Sequence, residues 1–252
     1  MCVTDQEKGT VRAVERALDI LLCFSGTEME LGLSEIAKRV GLHKSTVHRL
    51  LASLETKGFI RRHPQTDKYR LGWSVLELVS NVYQSDDLAS IVVPEMTHLR
   101  DEVGETISLY IRIGKERIRT QAVESNQPVR RVANIGQRLP LYVGASGKVL
   151  LAWSDPQLVQ EVIQDPAWPR DLSKKEFKAA LVKTRENGYA ISIEEREPGA
   201  AAVAVPIFGR DKQIVAALSV SGPVDRFTPE AVERFIPAAR NTAQLISKML
   251  TR

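Results

Sequence analysis

Little in this chain of 252 residues suggests metal or covalent chemistry. There are two cysteines, Cys2 and Cys23, and their spacing suits neither a metal site nor a disulfide framework. Histidines number four, with no H-E-x-x-H pair among them, and no G-x-S-x-G elbow marks a nucleophilic serine. Gly147-Lys148 does not complete a P-loop, because that motif needs a glycine where Tyr142 stands. No apolar run reaches the roughly eighteen residues of a membrane span. The opening "MCVTDQEKGTVRAVERA" mixes both charge signs and lacks the apolar centre of a secretory signal. A cytoplasmic protein without catalytic residues, metal or cofactor is the simplest expectation.

What the chain does have is enough apolar content for real cores, 43%, with 26% charged residues. Its length suits one large domain or two ordinary ones. The net charge of +4 is unevenly spread. Between Lys38 and Arg70 nine basic residues face two acidic ones, Glu55 and Asp67, so this stretch nets +7 and the remainder nets −3. His43, His48 and His63 fall in it too. Such a module meets a polyanion, or else it is a solvated face that happens to be basic.

Hydrophobic periodicity orders the elements. Val11, Val14, Leu18, Leu21 and Leu22 mark an amphipathic helix before Ser25-Gly26. "LSEIAKRVG" predicts a second, capped by Ser34 with Ile36, Ala37 and Val40 inward and Gly41 as its stop. A third runs from about Lys44 to Lys57 and ends at Gly58. "FIRRHPQTDKYRLG" then reads as a hairpin. Helix, helix, glycine turn, helix, hairpin is the layout of a winged helix-turn-helix. Trp73–Ser85 predicts a linking helix, and its apolar positions Val75, Leu78, Val79 and Val82 either pair with a partner's helix or pack within one subunit.

From Asp86 the pattern becomes mixed α and β. A helix is predicted over about Leu88 to Val103, then two strands around Gly114-Lys115. "GASGKVLLAW" and "SKKEFKAALVKTRENG" predict helices; "YAISIEE", "AVAVPIF" and "IVAALSVSG" predict strands, the last two central. The closing helix starts at Thr228-Pro229, and Pro237 predicts a kink or break in it. The fold class is therefore α+β.

The third helix has an apolar back in Val47, Leu50, Leu51 and Leu54 and a donor-rich front in Ser45, Thr46, His48 and Arg49. That is what a helix entering the major groove of double-stranded DNA needs. Lys44 is placed for a phosphate, and Arg61, Arg62, Lys68 and Arg70 on the hairpin would clamp the backbone or enter the minor groove. Any solvent-facing helix collects such residues; their order within one compact motif is the more specific signal. The rival expectations are a small-molecule-binding enzyme or an adaptor module without sequence-specific DNA binding. For those, the clustered Glu194, Glu195 and Glu197 could draw a metal, against the plainer reading of a solvated strand end. His98, on a helical segment, has no partner motif.

"VRAVERALDILLCF", "LGLSEIAKRVGLHKSTVHRLLASLETKGFIRRHPQTDKYRLG", "GETISLYIR", "GASGKVLLA", "GYAISIEEREPG" and "AALSVSGPVDRFT" resemble, in order and spacing, the isocitrate lyase regulator (IclR) family of bacterial transcription factors. The resemblance runs from about Val11 to the end. It implies a winged helix-turn-helix DNA-binding domain (residues 1–72), a linker helix (73–85) and a GAF-like effector-binding domain (86–252). It also implies dimers, often paired into tetramers, on palindromic operators. Such proteins are repressors, activators or both, of metabolic genes, and answer to small-molecule metabolite effectors, often carboxylates or aromatic acids.

Ser219 and Ser221 alternate with apolar neighbours and share one strand face, where a ligand carboxylate or a backbone carbonyl is their partner. "VGASGK" offers backbone N–H groups at a helix start, suited to an anion or simply a glycine-rich entry. The resemblance adds four pieces to an effector site: the loop at Gly144 and Ala145, the strand at Ser192, the segment at Ala202, and the strand of Ser219 and Ser221. Members that bind small acids carry an aspartate where Ser192 stands and a cysteine where Ala202 stands. The departure predicts a pocket with fewer polar groups, fitted to a larger or less polar effector.

Overall fold

The computed structural model describes residues 10–26, 28–85, 87–132 and 134–251, and over 81–91 the backbone alone. Cys2, the opening segment and the Val82 side chain lie outside the described residues. The chain divides into two compact units, Met1–Asp86 and Asp87–Arg252.

The first unit holds α1 (Arg12–Leu22), α2 (Leu33–Val40), α3 (Lys44–Thr56), the two-stranded ribbon β1 (Ile60–Arg62) and β2 (Tyr69–Leu71), and α4 (Trp73–Ser85). Ile20, Phe24, Leu31, Ile36, Ala37, Val47, Leu51, Ile60 and Tyr69 form its core. Gly41, in the left-handed region at φ 66°, turns the chain from α2 toward α3. Leu31 exchanges backbone hydrogen bonds with Tyr69, at 2.9 and 2.8 Å, and ties the ribbon to the segment ahead of α2.

Two details differ from the sequence expectation. α2 is capped by Gly32, not Ser34: the Gly32 N–H donates to Glu35 Oε2 at 2.6 Å, so the N3 carboxylate does the capping. On α1, Ile20 is the buried residue, while Val11 at its N-cap, Val14, Leu18 and Leu22 are exposed. The core takes Ile20 with part of Leu21, and the rest of the apolar stripe that dominates the sequence of α1 lies on another side.

The second unit is a six-stranded sheet in the order β5-β4-β3-β8-β7-β6, antiparallel throughout. Its strands are β3 (Thr106–Ile113), β4 (Glu116–Val123), β5 (Arg138–Pro140), β6 (Ala190–Ile193), β7 (Ala200–Phe208) and β8 (Ile214–Pro223). Helices cover both faces. On one side α5 (Asp87–Val103) and α9 (Pro229–Leu250) pack Met96, Leu99, Phe235 and Ile246 on Leu109, Val203, Leu218 and Val220. On the other, α6 (Ala145–Ala152) and α8 (Lys174–Asn187) pack Val149, Leu150, Phe177 and Leu181 on Ala204 and Ala217. Strand alternation makes this second face the one that carries Ser192, Ala202, Ser219 and Ser221.

α9 passes through Pro237 without a break. A lost backbone bond costs about 3 kcal/mol, and the burial of Phe235, Ala238, Ala239, Ala243 and Ile246 along the same helix offsets it. Three elements have no counterpart in the sequence reading: β5, the single 3-10 turn Val224–Arg226, and α7 (Pro156–Ile163), whose Asp155 side chain caps the Gln157 N–H at 2.8 Å.

Candidate nucleic-acid interface and ligand cavity

In the first unit, α3 sorts its residues by face. Val47 and Leu51 are buried and Leu50 and Leu54 half-buried, while Lys44, Ser45, His48 and Arg49 are exposed and Thr46 is partly so. The N-cap, His43, makes no side-chain cap, and the first turn carries no acid. The positive end of the helix dipole therefore stands beside Lys44 uncompensated, an arrangement that favours an anion.

The ribbon gathers its cations less simply. Arg61 and Arg70 are directly opposed across β1 and β2. Arg61 stacks its guanidinium 4.7 Å from the Trp73 ring, and Arg70 lies 3.9 Å from Glu30. The Nε atoms of both arginines are buried without a hydrogen-bond partner. Arg62 pairs with Asp67 at 3.2 Å, and Lys68 is exposed.

In the second unit, the six residues assigned to an effector site, Gly144, Ala145, Ser192, Ala202, Ser219 and Ser221, all line one cavity of about 50 Å³. That is room for about three to five waters. Gly144, with φ 83°, turns the chain into α6. At Gly147 a Cβ would collide with the Leu141 carbonyl and the Arg117 guanidinium. Gly147 thus leaves room for the Leu141 carbonyl and Arg117, and Gly144 for Arg117 alone, at the start of α6. Ser221 Oγ reaches the Thr106 carbonyl at 3.5 Å, a long and weak bond.

Arginines make this cavity far from apolar, contrary to the expectation of fewer polar groups. Arg117, Arg131 and Arg196 line it together with Tyr110. Arg117 stacks 5.6 Å from the Tyr110 ring centre, donates to the Pro140 carbonyl, and leaves its Nε buried and unpartnered. Burial pushes its pKa down to about 10; Tyr110 opposes the shift, and the neighbouring Arg196 and Arg119 add to it. Arg196 is lowered by burial as well, again with Tyr110 opposing and Arg119 adding. Arg119 is 1% exposed and spends its donors on Tyr110 Oη, Gln137 Oε1 and the Asn134 carbonyl. Arg131 is anchored by its backbone, whose carbonyl accepts the Thr106 hydroxyl at 2.9 Å.

Sequence reasoning missed these arginines. Arg117 and Arg119 sit two apart on one strand, so they share a face; that was a usable signal. Arg131 and Arg196 lie in loops and carried none.

The clustered glutamates do not converge. Glu194 accepts the Gly199 N–H at 2.7 Å, Glu195 pairs with Lys148 at 2.5 Å and accepts the Gly144 N–H at 3.1 Å, and Glu197 pairs with Arg131 and Arg196. Among the described residues no three histidine, cysteine or carboxylate groups gather as metal ligands would, and no helix is long and apolar enough to cross a membrane. Exposed His98 stands 3.8 Å from Glu95 on α5. Lys148 and Glu195 also border a second, larger hollow of about 360 Å³ lined by Tyr142, Leu172 and Phe177.

Two family descriptions match the chain: the IclR helix-turn-helix domain over residues 13–64, and "Bacterial transcriptional regulator IclR C-terminal" over residues 80–248. The chain is 34% identical to the HTH-type transcriptional regulator XynR of Escherichia coli, over 95% of this chain and 97% of that one. It is 32% identical to the regulator KdgR of the same organism, covering 98% and 95%. Among solved structures, an IclR transcriptional regulator from Alicyclobacillus acidocaldarius superposes with a TM-score of 0.85 at 28% identity, covering 95% of this chain and 99% of that one. An IclR homolog from Microbacterium hydrocarbonoxydans, complexed with 4-hydroxybenzoate, superposes with a TM-score of 0.81 at 25% identity, covering 94% and 98%.

Proposed function

The chain belongs to the IclR family of bacterial transcriptional regulators, as a ligand-responsive, DNA-binding regulator and not an enzyme, and we propose how its residues divide that work. Residues 1–72 form the DNA-binding domain, 73–85 the linker helix and 86–252 the effector-binding domain. α3 lies in the major groove, with Ser45, Thr46, His48 and Arg49 at base edges and Lys44 on a phosphate. Arg61, Arg62, Lys68 and Arg70 grip the flanking backbone. The observation that carries this reading is the two-sidedness of α3: Val47 and Leu51 buried, Ser45, His48 and Arg49 exposed.

The protein acts in the cytoplasm as a homo-oligomer, a dimer or a pair of dimers, on a palindromic operator. Exposed Val14, Leu18 and Leu22 on α1, and exposed Trp73, Leu76, Leu78 and Val79 on α4, support an interface between copies, since apolar rows of this kind rarely stay wet. Val75, which is half-buried, belongs to the same helix. The effector, a small metabolite, occupies the cavity of Gly144, Ala145, Ser192, Ala202, Ser219 and Ser221. The carboxylate of 4-hydroxybenzoate in the Microbacterium homolog supports an acid as ligand. Binding shifts DNA affinity only by favouring one conformation over another; the outcome is repression, activation or both.

The test is a gel-shift titration with the duplex upstream of the protein's own coding region against a scrambled duplex of equal length. Preference for the former, lost in Arg49→Ala, is the expected result; equal affinity for both overturns the reading.

A further inference from the structure

The charge balance of the cavity defines its ligand more narrowly than "an acid". Arg117, Arg131 and Arg196 all reach it. One carboxylate, Glu197, serves two of them: it pairs with Arg131 and, at 3.2 Å, with Arg196. Glu195 lies near enough to favour the charge of Arg117, but its hydrogen bonds go to Lys148 and the Gly144 N–H. Arg117 has a carbonyl for a partner and a buried Nε with none. Three guanidinium groups thus have one directly paired carboxylate, Glu197, in a confined space, with buried Arg119 just behind Tyr110.

Glu197 itself is informative. Its side chain is 46% exposed, whereas that of Arg131 is 14% exposed. The carboxylate therefore reaches in from solvent to two arginines that are largely enclosed, the approach a ligand group would make. A planar carboxylate also matches the forked guanidinium donors better than a point anion does.

We propose that the effector is a short dicarboxylic acid: one carboxylate lies on Arg117 beside Ser219 and Ser221, and the other replaces Glu197 on Arg131 and Arg196. Glu197 is then the resident stand-in for the second carboxylate. This rests on reading the cavity as the effector site, and the experiment separates the two claims.

Calorimetric titration of the full-length protein, at fixed ionic strength, compares the diacids from oxalate to glutarate with their monoamides, which differ by one charge at nearly equal size. At least one diacid binds about tenfold or more tightly than its monoamide, the scale of one charge-assisted pair. Arg196→Gln removes about that factor for the diacid and leaves the monoamide within about twofold. Glu197→Gln, at an exposed position, tightens diacid binding. Monoamides binding as tightly as diacids, or Glu197→Gln weakening the diacid, overturns the dicarboxylate inference and leaves the effector site standing. No binding by either series, or binding untouched by Arg117→Gln in protein with an unaltered melting curve, overturns both.

Discussion

Arg61 and Arg70 face each other directly across the β1–β2 ribbon, two like charges in register on one face. Such a pair opposes folding of a sheet unless something relieves it. Here Trp73 stacks on one guanidinium and Glu30 approaches the other. A polyanion placed against the ribbon would complete the compensation. Alanine at either position is therefore expected to weaken DNA binding equally on all sequences and to lower the slope of log affinity against log salt by about one. A filter-binding series in potassium chloride reads it; an unchanged slope refutes it.

Arg49 should behave differently. On the exposed front of α3, it is placed for a base edge, so Arg49→Ala should cost about 1–3 kcal/mol on the operator and little on random duplex. Competition titrations measure the ratio, and equal losses on both would make Arg49 a phosphate contact.

Glu105 and Arg226 form a forked ion pair, at 2.5 and 2.8 Å, that ties β3 to the turn Val224–Arg226. Glu105 is almost wholly buried. Glu105→Ala leaves Arg226 short of its partner and should lower stability by about 2 kcal/mol. Urea unfolding provides the check, and a midpoint unchanged from wild type would show the pair to be idle.

Gly147 stands where a side chain would strike the Leu141 carbonyl and Arg117. Gly147→Ala should cost roughly 1–3 kcal/mol of stability through overpacking and weaken acid binding by moving Arg117. Thermal melts with and without a bound acid separate the two effects. A fully stable variant that binds normally would mean that α6 shifts freely.

Acid binding should not depend on pH between 6 and 9, because neither the residues lining the cavity nor the carboxylate of Glu197 at its arginines is of a type that ordinarily titrates in that range. Arg117 is its most perturbed cation, pushed down to about 10, so it is charged throughout that range. An anion favours the protonated guanidinium. Affinity should therefore hold below about 10 and fall above it, by at most about tenfold per pH unit. Titrations in buffers of different ionisation heat should show no proton exchange at pH 7.

Much of this molecule is legible in its sequence, because local rules and tertiary packing agree there. The capped, glycine-stopped helices and the ribbon at Arg61 to Arg70 follow from periodicity and turn chemistry. So does the face shared by Ser219 and Ser221. Where they disagree, the sequence misleads. The apolar residues of α1 look like core, yet only Leu21 among them packs there, beside Ile20. Pro237 looks like a kink or a break, and packing along α9 rules out the break. Ser34 looks like a cap, yet Glu35 reaches back to Gly32. The strand after Gly114-Lys115 is legible as a strand, but not that Arg117 and Arg119 turn inward. Arg131 meets Glu197 only through the fold, whereas Arg196 is its neighbour in the chain.

Glu195 stands between the cavity behind Gly144 and the larger hollow floored by Phe177. One side chain thus touches the roomy hollow and steadies the rim of the compact one. Whatever displaces that carboxylate disturbs both chambers at once, which couples a lodger in either to the backbone at the start of α6.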